Sequence, residues 1–234
     1  MLSRKDQLLR AVIESYTKKA EPVGSHTLEG ELGVSSATIR NDMVELENEG
    51  FLTQPHTSAG RIPTTLGYEY FVNKLASALT LKTSEQNFWQ EIIGPTKAPD
   101  LTLKNLAREL AEISGVAAMI GFAPNDVYYT GLANLFAQPE FAHIKMVREF
   151  SSIIDHLEEA MEKLWRDGIN KELVQIKLGQ NNPFSEDCAV IFTWLPTTQN
   201  NKNLLGLLGP TRLDYETNLG RLQFINSIFN PPTL

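Results

Sequence analysis

The sequence predicts a mixed α+β protein in two parts, residues 1–79 and 80–234. Three observations lead there. Apolar residues recur at helical spacing through the first fifty positions, broken by short turns. A run punctuated by glycine and proline follows, as in a hairpin. Beyond residue 115, short apolar runs of strand type alternate with amphipathic segments, without a regular βαβ rhythm.

In the first part, Leu8, Leu9, Val12, Ile13 and Tyr16 lie on one helical face. In EPVGSHTLEGEL, Ser25 occupies an N-cap position for a short helix. Gly33-Val34-Ser35 forms a tight turn, and Ser35 caps the next helix. There Ile39, Met43 and Leu46 form a buried stripe, with Ser36, Thr38, Arg40 and Asn41 off it. Gly50 is a C′ residue that stops the helix. Phe51 to Gln54 suits a strand, and Pro55 to Pro63 a hairpin loop or wing. Gly67 to Leu79 is helical again.

The second part opens with a polar stretch, Thr80 to Gln86. Helices are expected at Phe88–Ile93, closed by Gly94-Pro95, and at Leu101–Ser114, with Leu103, Leu106, Leu110 and Ile113 in phase. Strands are expected at 115–123, 127–130, 173–178, 188–195 and 204–208. Two more helices are expected, at Ser152–Trp165 and Arg212–Phe229. The reading is one sheet with helices packed against it.

Composition narrows the function. The 234 residues are 42% hydrophobic and 21% charged, enough for an ordinary globular core. No apolar run approaches the roughly 18 residues of a membrane span. The N-terminus lacks the apolar stretch of a signal peptide, so a cytoplasmic protein is expected. The single Cys188 reads as a buried small hydrophobe, and the four histidines show no ligand-pair spacing. No nucleophile–base pair, carboxylate dyad or cofactor loop emerges, so neither an enzyme nor a bound cofactor is expected. Net charge is −7. Residues 1–75 hold 8 Lys/Arg and 10 Asp/Glu, so the first part is less acidic than the second but not basic. A protein that coats nucleic acid nonspecifically is thereby disfavoured.

A tight turn, a capped polar-faced helix and a hairpin form the constellation of a winged helix-turn-helix. On that reading Ser36 and Thr38, with Ser35 at the cap, meet phosphates near the helix N-terminus. Arg40 has the donors for a guanine edge and Asn41 those for an adenine edge. His56, Thr57, Ser58 and Arg61 follow the DNA backbone or enter the minor groove. The plainer alternative pairs Arg40 with Asp42 or Glu47 and makes the wing a simple hairpin.

The words EPVGSHTL (21–28), GVSSATIRNDMVELENEGFLTQPHTSAGRIPT (33–64) and GYEYFVNKL (67–75) resemble the heat-inducible transcription repressor family HrcA. The second part resembles the same family at GLANLFAQPEF (131–141), at the NPF-plus-acidic stretch (182–187) and at GLLGPTRLDY (206–215). The resemblance implies a winged helix followed by a GAF-like dimerisation domain. It implies repression of chaperone operons by a homodimer on an inverted-repeat operator in double-stranded DNA, tuned by a GroEL-type chaperonin. Family members carry a long segment between the strand at 115–123 and the GLANLF-like run. Only Pro124 to Thr130 stands there in this chain, so the GAF-like domain is expected in reduced form. Two rivals remain: a regulator whose second domain senses a small ligand, and an interaction module that has lost DNA binding.

Other features have plainer readings. GLLGP at 206–210 lacks the spacing of a phosphate loop and reads as a strand-ending turn. Thr211 to Tyr215 forms either a ligand-binding edge or, more simply, a helix start with Tyr215 packed. Glu45, Glu47 and Glu49 read as a solvated helix face, as do Glu158 and Glu159. Phe136, Phe141 and Phe150 belong to the core or to a dimer contact.

Overall fold

The computed structural model describes residues 2–57, 59–94, 99–142, 144–168, 174–196 and 202–230. It divides into two compact units: Met1–Ser77 with Thr211–Asp214, and Ala78–Pro210 with Tyr215–Leu234. The chain therefore passes into the second unit, returns to the first for four residues, and leaves again. Among the described residues, no helix is long and apolar enough to cross a membrane.

The first unit begins with α1 (Arg4–Lys19). Ser3 and Asp6 form a reciprocal capping box at its start, and Leu8, Leu9, Val12 and Ile13 are buried. A 3-10 turn (Ser25–Leu28) leads into the four-residue α2 (Glu29–Leu32), which ends on Gly33 at φ +67°. Ser25 is not an N-cap: Gly24 is, and the Ser25 hydroxyl is drawn inward to share a 2.7 Å hydrogen bond with Ser36. Then come α3 (Ser36–Asn48), the two-stranded sheet of β1 (Leu52–Thr53) and β2 (Ile62–Pro63), and α4 (Thr65–Tyr70). A π-turn (Phe71–Leu75) continues α4. Thr64 caps α4, which starts two residues before the expected Gly67, and the chain leaves the helix at Ala76 rather than at Leu79.

The second unit holds α5 (Thr83–Ile93), α6 (Pro99–Ser114), β3 (Ala117–Ala123), β4 (Asp126–Thr130), α7 (Leu132–Phe136), α8 (Ile144–Asp155), α9 (Leu157–Gly168), β5 (Val174–Leu178), β6 (Cys188–Pro196), β7 (Lys202–Pro210) and α10 (Tyr215–Phe229). The five strands make one antiparallel sheet in the order β4-β3-β7-β6-β5. Alternate residues face opposite sides. Met119, Cys188, Val190, Phe192 and Leu204 pack with Phe141, Phe150, Met161 and Leu164. On the other side α10 lies on β6, where buried Asn226 donates to the Thr193 hydroxyl (2.8 Å) and the Trp194 carbonyl (2.9 Å). With both faces covered, eight successive residues of β6 are buried, which explains why it reads as a continuous apolar run.

Several boundaries differ from expectation for physical reasons. The single helix expected at 152–165 is two: His156 interrupts it, and its Nδ1–H donates to the Ser152 carbonyl (2.8 Å), in competition with the helix ladder. GLLGP is no turn, since β7 stays paired through Pro210 opposite Cys188. Thr211 to Asp214 precede α10 and belong with the first unit, where Arg212 donates to the Thr17 carbonyl. Ile113 is exposed rather than in phase with the buried Leu103, Leu106 and Leu110. Phe141 and Phe150 are core, with Phe136 stacked edge-on at their margin. Pro95 and Leu173, expected to close a helix and open a strand, lie outside the described residues.

Two predictions follow from these packings. A Cβ on Gly220 would collide with the Leu79 carbonyl, so Gly220→Ala is expected to cost about 1–3 kcal/mol in urea unfolding. The Asp6 carboxyl is held below its ordinary range by the Ser3 hydroxyl, with the Tyr70 hydroxyl and Ser3 N–H adding and burial opposing. A carboxylate lowered in this way stabilises above its unfolded-state pKa, and the gain fades as pH falls through the folded value. Asp6→Asn is thus expected to lower Tm at pH 7, with the deficit shrinking below about pH 4 in a thermal melt series.

Candidate nucleic-acid interface

The region around α3 combines a rigid buried side with an unobstructed outer one. Ser35 is its N-cap, accepting from the Thr38 N–H. At the far end Gly50, at φ +83°, makes the left-handed turn, and the Gly50 and Phe51 N–H groups donate to the Glu47 and Leu46 carbonyls. Both ends of the helix are therefore capped. Ile39, Met43 and Leu46 are buried as expected, and Asp42 joins them.

Asp42 accepts both arms of the Arg4 guanidinium from α1, at 2.7 and 2.8 Å. Lys5 reaches Glu45 and Glu49, each at 2.7 Å, and these two carboxylates raise its pKa. Arg61, just before β2, donates its Nε–H to Glu47 at 2.9 Å. The acidic trio expected as a solvated face is thus ion-paired to neighbouring elements. So is Asp42, which leaves neither Asp42 nor Glu47 for Arg40. Arg40 is exposed and has no ion-pair partner among the described residues.

The other expected contact residues divide into two groups. The Ser36 hydroxyl bonds Ser25, and the Ser36 N–H donates to Glu29 at 2.9 Å. The Ser35 and Thr38 hydroxyls bond each other at 3.0 Å. These three residues shape the entrance to the helix. Arg40 and Asn41 stand exposed beyond it. Ala37 and Val44 share that outer face, at positions i, i+3, i+4 and i+7 together with Arg40 and Asn41. Neither was singled out from the sequence, although both fall opposite the 39/43/46 stripe.

The hairpin beside α3 is held by several bonds. Val23 and Arg61 exchange backbone hydrogen bonds at 2.8 and 2.9 Å. A Cβ on Gly60 would strike the Val23 carbonyl, so only glycine lets the hairpin approach. The Gln54 amide donates to the Thr57 and Ala59 carbonyls, bracing the loop from inside. His56 and Thr57 are exposed on it, while Ser58 lies outside the described residues. Arg61, with a mostly buried side chain paired to Glu47, anchors the hairpin to α3.

The Arg4–Asp42 pair is lopsided: the Arg4 side chain is 59% exposed and that of Asp42 only 6%. Losing Arg4 strands a buried carboxylate, whereas losing Asp42 frees an arginine that water can solvate. Thermal melts are therefore expected to show a larger Tm loss for Arg4→Met than for Asp42→Asn.

Comparison with known proteins places this geometry in a family. The model of the HrcA protein C terminal domain matches residues 37–218. A protein of Carboxydothermus hydrogenoformans called heat-inducible transcription repressor HrcA is 26% identical, with 95% of each chain covered. That alignment runs over 328 positions against 234 residues here, so at least 94 of them have no counterpart in this chain. A protein of the same name from Bifidobacterium animalis subsp. lactis is 48% identical over 120 residues. The match takes in 50% of this chain and spans about a third, 33%, of that relative's length. A crystal structure of a hypothetical protein covers 98% of the chain and 97% of its own length, with a TM-score of 0.70 and 16% identity, a likeness of fold alone. With more than half of its length matched by the family's own model, the chain belongs to the HrcA family.

Proposed function

We propose that the protein is a sequence-specific DNA-binding transcriptional repressor of heat-shock chaperone operons. Its first unit acts as a winged helix-turn-helix. α3 lies in the major groove with Arg40 and Asn41 on base edges, and His56 and Thr57 of the hairpin lie beside the backbone. The second unit, with its five-stranded sheet between helices, acts as a reduced GAF-like domain that pairs two copies on an inverted repeat. The names of its relatives support the repressor role and the link to heat. A GroEL-type chaperonin as the tuning partner rests on the family resemblance.

One observation carries the reading. Every carboxylate between Asp42 and Glu49 is tied to a cation from a neighbouring part of the unit, while Arg40, on the outer face, has no ion-pair partner among the described residues. A helix arranged in this way offers a polyanion the Arg40 guanidinium while its carboxylates are already paired. Ser35, Ser36 and Thr38 then set the helix entrance, and Arg61 fixes the hairpin.

Fluorescence anisotropy tests the reading. A duplex with the family-type inverted repeat is compared with a scrambled duplex at two salt concentrations, using wild type and Arg40→Ala. Repeat-dependent binding is expected, weakened by Arg40→Ala about 10- to 100-fold, the worth of one bidentate base contact. Equal, weak binding to both duplexes, unchanged when a GroEL-type chaperonin is added, refutes it.

A second reading has its own support. An open cleft of about 380 Å³ lies where α8 and α9 meet the 183–185 loop, lined by Ser152, His156, Glu159, Lys163 and Ser185. It fits a second unit that senses a small polar ligand. A metabolite that raises Tm in proportion to its concentration, and less so in His156→Ala, would favour this reading.

A further inference from the structure

Val44 is 41% exposed on α3. Neither packing nor local propensity accounts for it. It lies away from the Ile39, Met43 and Leu46 stripe, and a β-branched residue on an exposed helix position is less favourable than alanine by a few tenths of a kcal/mol. A lone exposed valine elsewhere would need no explanation. This one stands one turn beyond Arg40 and three residues beyond Asn41, on the face that also carries Ala37.

We propose that Val44 is a specificity-determining residue that reads a thymine 5-methyl group in the major groove, with Ala37 making the second apolar contact of the same face. The inference rests on the DNA-reading function above and deepens it. The thymine methyl is the one apolar feature the major groove presents, and aliphatic side chains recognise it by excluding water from it. Ala37 to Val44 spans about 10 Å of helix axis, roughly three base steps. The outer face therefore presents an apolar contact at each end and two hydrogen-bonding side chains between them. Ser36 and Thr38, which have the right chemistry for bases or phosphates, are already bonded within the unit. The apolar pair is what remains beside Arg40 and Asn41 to discriminate one pyrimidine from another.

Uracil differs from thymine only in lacking that methyl, so it removes the contact without changing a hydrogen bond. In the family-type inverted repeat, each thymine is replaced in turn by uracil, and binding is measured by anisotropy for wild type, Val44→Ser and Val44→Ile. Because Val44 is exposed, the variants are expected to keep the wild-type circular dichroism spectrum and Tm. Wild type is expected to lose about four-fold in affinity at one thymine of each half-site, the worth of a methyl group transferred from water. Val44→Ser is expected to bind the thymine duplex more weakly and to ignore uracil at that position, while Val44→Ile keeps the sensitivity. If wild type binds the repeat but Val44→Ser shows the same uracil profile, the Val44 assignment is wrong and the repressor reading stands. If wild type shows no preference for the repeat over the scrambled duplex, both fall together.

Discussion

The inward pairing of α3's carboxylates is the interaction around which the first unit is organised. Asp42, Glu45 and Glu49 face α1, and Glu47 faces the hairpin. Unpaired, these four negative charges would surround the single positive charge of Arg40. Arg4 and Lys5 pair with three of them from α1, and Arg61, just before β2, pairs with the fourth. The same bonds fix where α3 sits against α1 and where the hairpin sits against α3, so charge placement and architecture have one cause. A chain of net charge −7 can in this way expose the Arg40 guanidinium beside carboxylates that are already paired. Exposed pairs of this kind add little stability. Their larger effect is on the field outside the helix and on its orientation.

The local grammar of this region was legible in the sequence because it depends on near neighbours. Ser35 as cap, Gly50 as stop and the Ile39, Met43 and Leu46 stripe all stand as read. Partner choice was not legible. Arg40 had two nearby carboxylates as candidates, and both are claimed by residues about 40 and 14 positions away in sequence. Ser25 has the chemistry of a cap, yet its hydroxyl faces Ser36 across the turn. Helical periodicity tells which side of α3 is buried. It does not tell which of the polar side chains off that stripe are already engaged. That is why Ser36 and Thr38 stood beside Arg40 in the sequence reading, and why Ala37 and Val44, lacking polar atoms, were passed over.

In the second unit the same division holds at longer range. Strands β3, β6 and β7 were evident as apolar runs because helices cover both sides of the sheet. The break at His156 was not, since apolar periodicity continues across it and the imidazole's bond to the Ser152 carbonyl leaves no trace in that spacing. The chain lacks at least 94 positions of its Carboxydothermus relative, yet its five strands pair antiparallel in one continuous sheet. The turn at Pro124-Asn125 joins β3 to β4 directly, and α6 shields that pair, with Lys104 over the Phe122 and Tyr128 rings and Arg108 bonded to the Tyr128 hydroxyl.

The size of the outer face of α3 bears on how the proposed repressor reaches useful affinity. Four exposed side chains over about 10 Å would meet roughly three or four base pairs, and Arg40 is the one cation of that face without an ion-pair partner among the described residues. Affinity for DNA rises with the number of phosphates neutralised, and one helix of this kind neutralises few. A single unit would thus bind weakly at physiological salt, however well its base contacts matched. Two units on one two-fold axis double the contacts and convert the second binding event into an intramolecular one. The sparse charge of the reading face then becomes an advantage. In the proposed dimer, nonspecific DNA would compete poorly, and discrimination would fall to the base contacts of the paired helices. On this argument the second unit's capacity to pair, more than any added basic surface, sets whether the shortened chain acts as a repressor.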